Sequence, residues 1–271
     1  MSQVEDFARG GAVCLRGVLD GAEIEMLRRG IDANLASPSA RAIVASRPDD
    51  PGRFVEDFRV WEGNPDYRRL IFESRLGEIA AELMGSGAAR LYHDHMLTKE
   101  AGTHAPTPWH QDQPYYNIEG RQTVSFWIPA DPVDRASTLT FVAGSHLGPW
   151  RMPRTFMDAQ AKWFPEGSLV ELPDIDADNK ADPGAWPILG WALEPGDAVA
   201  FHMLTLHASA GASQRRRVWS VRFLGDDVTH APRAWPTSPD FPGLEAELPA
   251  GAPMDHPLFP VVWPRAERAG G

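Results

Sequence analysis

The spacing of apolar positions changes near residue 85. Before it they recur every three or four places; after it they alternate or come in short runs. Residues 11–18, GAVCLRGV, read as a short strand. The next stretch, DGAEIEMLRRGIDANLA, reads as a helix, with Asp20 at the N-cap and Glu23 three residues on. Ile24, Leu27, Ile31 and Leu35 form its apolar stripe. A second helix is predicted from about 65 to 84, started by Asn64 and Pro65 and stopped by Gly85. Its stripe is Leu70, Ile71, Leu76, Ile79 and Leu83. Strand-like runs separated by turn residues then follow: ARLYHDHMLTKE, QTVSFWIPA, STLTFVAGS, DAVAFHMLTLHAS and RVWSVRFLG. Pro195-Gly196-Asp197 is a turn signal before the fourth.

The plan is a helical part over about 1–85 and an antiparallel β core over about 86–230. That is a mainly β protein with flanking helices. No composition break marks a linker, so 1–271 is read as one domain. Residues 147–193 lack clear periodicity but carry Trp150, Phe156, Trp163, Phe164, Trp186 and Trp191. Six large aromatics argue against disorder and for a lid-like insertion.

Charge removes some partners. The formal net charge is −11, which disfavours nucleic acid and anionic membrane surfaces. No apolar run is long enough to span a bilayer, and the acidic start lacks a signal-peptide core. Cys14 is the single cysteine, so no intrachain disulfide forms, which suits a cytoplasmic setting.

The chemistry concentrates in WHQDQPYY, residues 109–116. Side chains two apart on a strand share a face, so His110 and Asp112 are expected to project together. A further histidine would complete a two-histidine, one-carboxylate set of the kind that binds non-haem Fe(II) and leaves positions open. His207, near the end of DAVAFHMLTLHAS, is the best third ligand, with Ser209 on its face and His202 on the opposite one. His146 at a strand end reads as structural. His104, His230 and His256 lie in Pro-rich loops, while His93 and His95 share a strand face and are candidates for a pocket wall. Arg215, Arg216 and Arg217 follow His207, and a guanidinium there suits a carboxylate.

These motifs together resemble the phytanoyl-CoA dioxygenase family of Fe(II)- and 2-oxoglutarate-dependent oxygenases. The resemblance runs over nearly the whole chain, from FARGGAVCLRGVLDGAEIEMLRRGID through WHQDQPYY, TLTFVAGSHLGPW and LEPGDAVAFHMLTLHASAG to RRVWSVRF. It implies a double-stranded β-helix core (jelly-roll, cupin-like) and the iron ligands His110, Asp112 and His207. Arg216, seven residues before Phe223, matches the arginine that grips the far carboxylate of 2-oxoglutarate. The short gap after His207 leaves Arg215 and Arg217 as alternatives. Ser209 and Trp127 match residues beside the 2-oxoglutarate. The family also uses a side chain from the strand RLYHDHML, with Leu91, Tyr92 and His93 left open.

The implied reaction consumes O2 and 2-oxoglutarate, releases succinate and CO2, and hydroxylates a small molecule. Asp112 stands where related halogenases carry a small residue, which favours hydroxylation; desaturation and ring formation share the same oxidant. Tyr115, Tyr116, Asn117 and His95 are expected at the substrate. Arg151 and Arg154, with Trp150 and Phe156, are expected in a lid that recognises an anionic or aromatic molecule. Two rival classes fit the same barrel: a non-catalytic metal- or ligand-binding protein, and a metal enzyme that does not use 2-oxoglutarate.

Overall fold

The computed structural model describes residues 2–46, 50–103, 106–152, 164–165, 167–210, 212 and 214–265. Its helices are α1 (Gln3–Gly10), α2 (Gly21–Ala36), α3 (Pro65–Glu73), α4 (Leu76–Met84), α5 (Ile175–Ala181) and α6 (Leu244–Glu247). The strands up to the first site residue are β1 (Ala12–Leu15), β2 (Ile43–Val44), β3 (Phe54–Phe58), β4 (Ala89–Lys99) and β5 (Thr107–His110). Then come β6 (Ile118–Glu119), β7 (Thr123–Pro129), β8 (Leu139–Val142), β9 (Arg151–Met152), β10 (Val170–Glu171) and β11 (Ile188–Leu189). The last are β12 (Ala198–Phe201), β13 (His207–Ser209), β14 (Arg216–Leu224), β15 (Thr229–His230) and β16 (Val261–Trp263).

Local chemistry sets the helix ends. Asp20 accepts from the amides of Ala22 and Glu23 while Glu23 reaches back to the Asp20 amide, a complete capping box. Ser2 and Glu5 make a second one at α1, a helix the apolar spacing did not announce. The single helix expected over 65–84 is two. Asn64 caps its start and Gly85, at φ 61°, ends it. Between them Ser74 turns extended, its hydroxyl donating to the Leu70 carbonyl and accepting from the Leu76 amide. That side chain offers the backbone an alternative to the next helical turn.

A large sheet runs β1-β12-β7-β14-β4-β3-β2, with β16 also on β4. Strands from both chain ends thus join those of the central region. A smaller sheet runs β11-β8-β13-β5, and the pair gives the double-stranded β-helix. The outer face of the large sheet carries the main apolar core against the helices. Leu27, Ile31, Leu70, Ile71 and Leu76 pack there with Trp219 and Phe126. Tyr67 stacks flat on Trp219 at 5.3 Å. The inner face looks toward the smaller sheet.

The segment DAVAFHMLTLHAS departs from its reading as one strand. β12 stays in the large sheet and β13 belongs to the smaller one. The residues between turn: the His202 amide donates to the Gly11 carbonyl at 2.8 Å, and the Thr205 hydroxyl donates to the same oxygen at 2.7 Å. A polar tether, invisible to periodicity, moves the chain across. In the insertion, β9 pairs with β10, β11 joins β8, and α5 lies between. Phe156 and Trp163 lie outside the described residues. Among those described, no helix is long and apolar enough to cross a membrane.

Gly11 holds the tether at φ 77°, and a Cβ there would meet His146 Nδ1 at 2.4 Å and Thr205 Oγ1 at 2.6 Å. Gly17, at φ 61°, has nothing within 4 Å. Gly17→Ala should therefore cost only the left-handed backbone term, about 1–2 kcal/mol. Gly11→Ala should cost clearly more, read as the difference between the two in urea denaturation; equal losses would contradict the tether.

Candidate metal and 2-oxoglutarate site

β5 ends at His110 and β13 begins at His207, and the two are register partners. Their rings lie 4.2 Å apart, centroid to centroid. Asp112 arrives differently from the expectation of a shared strand face. Its backbone is helical (φ −74°, ψ −45°), and its amide and that of Gln113 both donate to the Met203 carbonyl. Pro114 then has no amide to continue a ladder. A turn, rather than strand alternation, brings the carboxylate round.

The result is compact. Asp112 Oδ1 lies 3.5 Å from His110 Nε2 and 3.6 Å from His207 Nε2. One donor atom from each of the three residues lies within 4.8 Å of the others. His110 Nδ1 sits 2.7 Å from the Pro108 carbonyl and His207 Nδ1 2.9 Å from the Thr205 carbonyl. A carbonyl only accepts, so both Nδ1 atoms carry the proton and both Nε2 lone pairs face the centre. Burial, then the neighbouring His110, push His207 down to about 3, so its imidazole is neutral at pH 7. Burial opposes the Asp112 charge, but Arg222 and the two imidazoles outweigh it and hold the carboxyl well below its ordinary range. Two imidazoles and a carboxylate are the donor set that suits Fe(II).

Asp112 Oδ2 points the other way. It accepts from Arg222 Nε and Nη2 at 3.3 and 3.2 Å and from the Ser125 hydroxyl at 3.4 Å. Arg222 is buried, and sequence reasoning passed over it. The signal was present: on β14, Arg216, Val218, Ser220 and Arg222 alternate onto one face, and all four line the same cavity.

That cavity has a volume of about 320 Å³ and contains the three-residue cluster. Of the three candidate arginines only Arg216 lines it. Arg215 and Arg217 point out to Asp32, and Arg217 also grips Asp131. Arg216 lies 5.5 Å over the Trp127 ring and donates to the Ser137 carbonyl. It makes no ion pair among the described residues, and burial lowers it to about 10. A buried guanidinium without a carboxylate is costly, and a dianionic ligand would relieve it. Ser209 is in the wall. Lys99, also missed from sequence, is the register partner of Arg216 on β4 and lines the cavity beside it. Burial and then Arg216 lower Lys99 to about 7. The residues on β4 that face the cavity are His95, Leu97 and Lys99, rather than Leu91, Tyr92 or His93.

The remaining expectations divide. Tyr115, Tyr116 and His95 line the cavity. Asn117 does not: its side-chain oxygen accepts from the Tyr92 hydroxyl at 2.7 Å, with β6 starting one residue later. Arg151 is also elsewhere, donating to the Glu171 carbonyl and lying over Trp186. Trp150 sits under Arg233. Arg154, Phe156 and His104 are outside the described residues. His146 bonds the Ala8 carbonyl and His202 the Arg121 carbonyl, both structural roles.

The family model of the phytanoyl-CoA dioxygenases (PhyH) matches residues 7–218. The chain belongs to this family. It is thus a 2-oxoglutarate-dependent, non-haem iron enzyme, with iron and 2-oxoglutarate as its cofactor and co-substrate. No curated protein matches by sequence. Among solved structures, SnoN, a non-heme alpha ketoglutarate dependent epimerase from nogalamycin biosynthesis, is 23% identical. The match covers 99% of this chain and 97% of that one, with a TM-score of 0.73. SnoN in complex with Fe3+, alpha ketoglutarate and nogalamycin RO is 21% identical over 96% and 97%, at 0.76. EctD from S. alaskensis with 2-oxoglutarate and 5-hydroxyectoine is 18% identical over 83% and 76%, at 0.63. These likenesses show a shared fold.

Removing the guanidinium behind Asp112 should loosen the metal. Arg222→Gln is expected to weaken anaerobic Fe(II) binding about 10–100-fold, the usual cost of losing a group that orients a ligand. An unchanged titration would separate Arg222 from the metal site.

Proposed function

We propose that the enzyme hydroxylates a small molecule, with His110, Asp112 and His207 holding Fe(II) and Arg216 holding the distal carboxylate of 2-oxoglutarate. The observation that carries it is the pairing, in one cavity, of the His–Asp–His cluster with a buried guanidinium that has no carboxylate of its own. Iron and 2-oxoglutarate, when bound, supply with O2 the oxidising power that removes hydrogen from the substrate, leaving succinate and CO2.

The chain's own residues do the rest. Arg222 and Ser125 keep Asp112 ionised and turned toward the histidines. Arg216, braced on Trp127, fixes the co-substrate's direction, and Ser209 and Lys99 complete its carboxylate pocket. Tyr115 and Tyr116 close the side next to Asp112 and exclude water, which strengthens every charge interaction inside. The single cysteine, Cys14, supports a cytoplasmic setting. The epimerase SnoN and the carbocyclase SnoK on this fold keep inversion and ring closure as a second reading. Product mass separates them, since hydroxylation adds one oxygen and the others add none.

The deciding experiment is anaerobic addition of Fe(II) and 2-oxoglutarate, followed by visible absorbance. A weak charge-transfer band is expected in the wild type, absent in His110→Ala and much weaker in Arg216→Ala at equal 2-oxoglutarate. No band with iron bound would favour a metal enzyme that does not use 2-oxoglutarate.

Lys99 adds a pH signature. Its folded value of about 7 lies below its ordinary value of 10.5, so at pH 8 it is mostly neutral. A bound dianion favours the charged form, so binding takes up a proton. Apparent 2-oxoglutarate affinity should rise as pH falls from 8 toward 7. Calorimetry in two buffers of unlike ionisation heat should show proton uptake, lost in Lys99→Met.

A further inference from the structure

The inner face of the large sheet is a grid. Across β14, β4 and β3 the register aligns Arg216 with Lys99 and Phe54, Val218 with Leu97 and Glu56, and Ser220 with His95 and Phe58. The first row holds the two cations assigned to 2-oxoglutarate. Glu56 sits two strands from Val218, roughly 10 Å to the side at the usual strand spacing. It therefore lies beside the co-substrate track, in the same cavity.

Glu56 is a carboxylate among apolar walls: Ile43, Phe54, Phe58 and Leu97 surround it in the cavity lining. No Lys or Arg pairs with it among the described residues. Its neighbour is His95, whose Nε2 lies 3.3 Å from Glu56 Oε1 yet makes no hydrogen bond and is shut off from solvent. The His95 ring is fixed by stacking on Phe58 at 3.9 Å. Burial keeps it below its ordinary pKa despite the carboxylate beside it. A buried polar atom without a partner is costly, and a carboxylate in an apolar wall is costly too.

The backbone that presents the pair is braced from behind. Asp57, on the opposite face of β3, accepts from Asn34 Nδ2 and the Ser39 amide at 2.8 Å each. Arg41 donates to the carbonyls of Phe58 and Arg59. Glu56 and His95 are thus held in place in the cavity wall, where the Glu56 carboxylate has no Lys or Arg within ion-pair distance among the described residues.

We propose that Glu56 and His95 are the polar anchor of the substrate, taking a hydroxyl or ammonium group on an otherwise apolar molecule. This rests on the 2-oxoglutarate reading above, which uses Arg216 and Lys99 and leaves Glu56 as the only other charge besides the Arg222–Asp112 pair in the described wall. An anionic substrate, including a polyphosphate-bearing thioester, would meet the Glu56 carboxylate while the nearby Lys99 is engaged by the co-substrate. The anchor selects for neutral or cationic substrates.

The test is anaerobic calorimetry on protein loaded with Fe(II) and 2-oxoglutarate. Three probes share one apolar body: 2-naphthalenemethanol, 2-naphthylmethylammonium and 2-naphthoate. The alcohol and the ammonium should bind at least about tenfold more tightly than the carboxylate. Glu56→Gln should weaken the ammonium by about tenfold or more and bring naphthoate closer to it. His95→Gln, a second variant, should weaken the alcohol. Naphthoate binding as tightly as the ammonium, no binding of any probe, or an unchanged order in Glu56→Gln would overturn the proposal. The visible band on the same samples tells the two readings apart. No band in the wild type condemns the co-substrate reading, whereas a band with the wrong probe order condemns the anchor.

Discussion

One carboxylate joins the two sheets. Asp112 turns Oδ1 toward His110 and His207, both on the smaller sheet, and Oδ2 toward Arg222 and Ser125, both on the large one. In water the four contacts would be weak. In a closed interior a buried Asp–Arg pair is stable only when geometry and further hydrogen bonds repay the lost hydration. The pair therefore imposes a register on both sheets: β14 must present Arg222 inward, and β5 must stop where Asp112 can turn. The same demand explains the turn after His110, because a strand that continued straight would not deliver its amides to Met203.

The inner face of β14 is arranged along its length by charge. Arg222 is charge-balanced by Asp112, although its buried Nη1 has no hydrogen-bond partner, and Ser220 donates to the Phe126 carbonyl. Val218 is apolar. Arg216, at the far end, lacks a protein carboxylate. A strand with its charge balanced at one end and unbalanced at the other has a direction for an elongated dianion to follow. Lys99 and Trp127, on the flanking strands, reinforce the unbalanced end. The side chamber at β3 has the opposite character, with an acceptor rather than donors. The two halves of the cavity thus suit ligands of opposite charge preference.

Much of this was legible in the chain. Capping boxes and stripes gave α2 and the ends of α3 and α4, because those signals are local. WHQDQPYY marked the metal cluster, although the argument of a shared strand face was wrong for Asp112. The break at Ser74 and the crossing at residues 202–206 were hidden, since each depends on hydrogen bonds that periodicity does not report. The crossing uses Gly11, nearly two hundred residues away. Arg222 and Lys99 were hidden for a different reason. Each reads as an ordinary charge in an alternating strand, and only the partner strand shows that its face is the inner one. Asn117 and Arg151 show the converse, polar residues near the motif whose partners lie in the protein.

The crossing also has a mechanical consequence. His207 is placed by a segment hung from Gly11, next to the first strand of the large sheet, while His110 is placed by its pairing with β13. Met203, in the same crossing, receives the Asp112 and Gln113 amides. His207 and Asp112 therefore both depend on the non-strand backbone of residues 202–206, while His110 is set by strand pairing. The wall at β2 and β3 is held by the β3–β4 ladder and braced by Asp57 and Arg41, and shares none of those bonds. Different side-chain bonds thus brace the substrate side and the metal side, a physical basis for different outcomes on one fold.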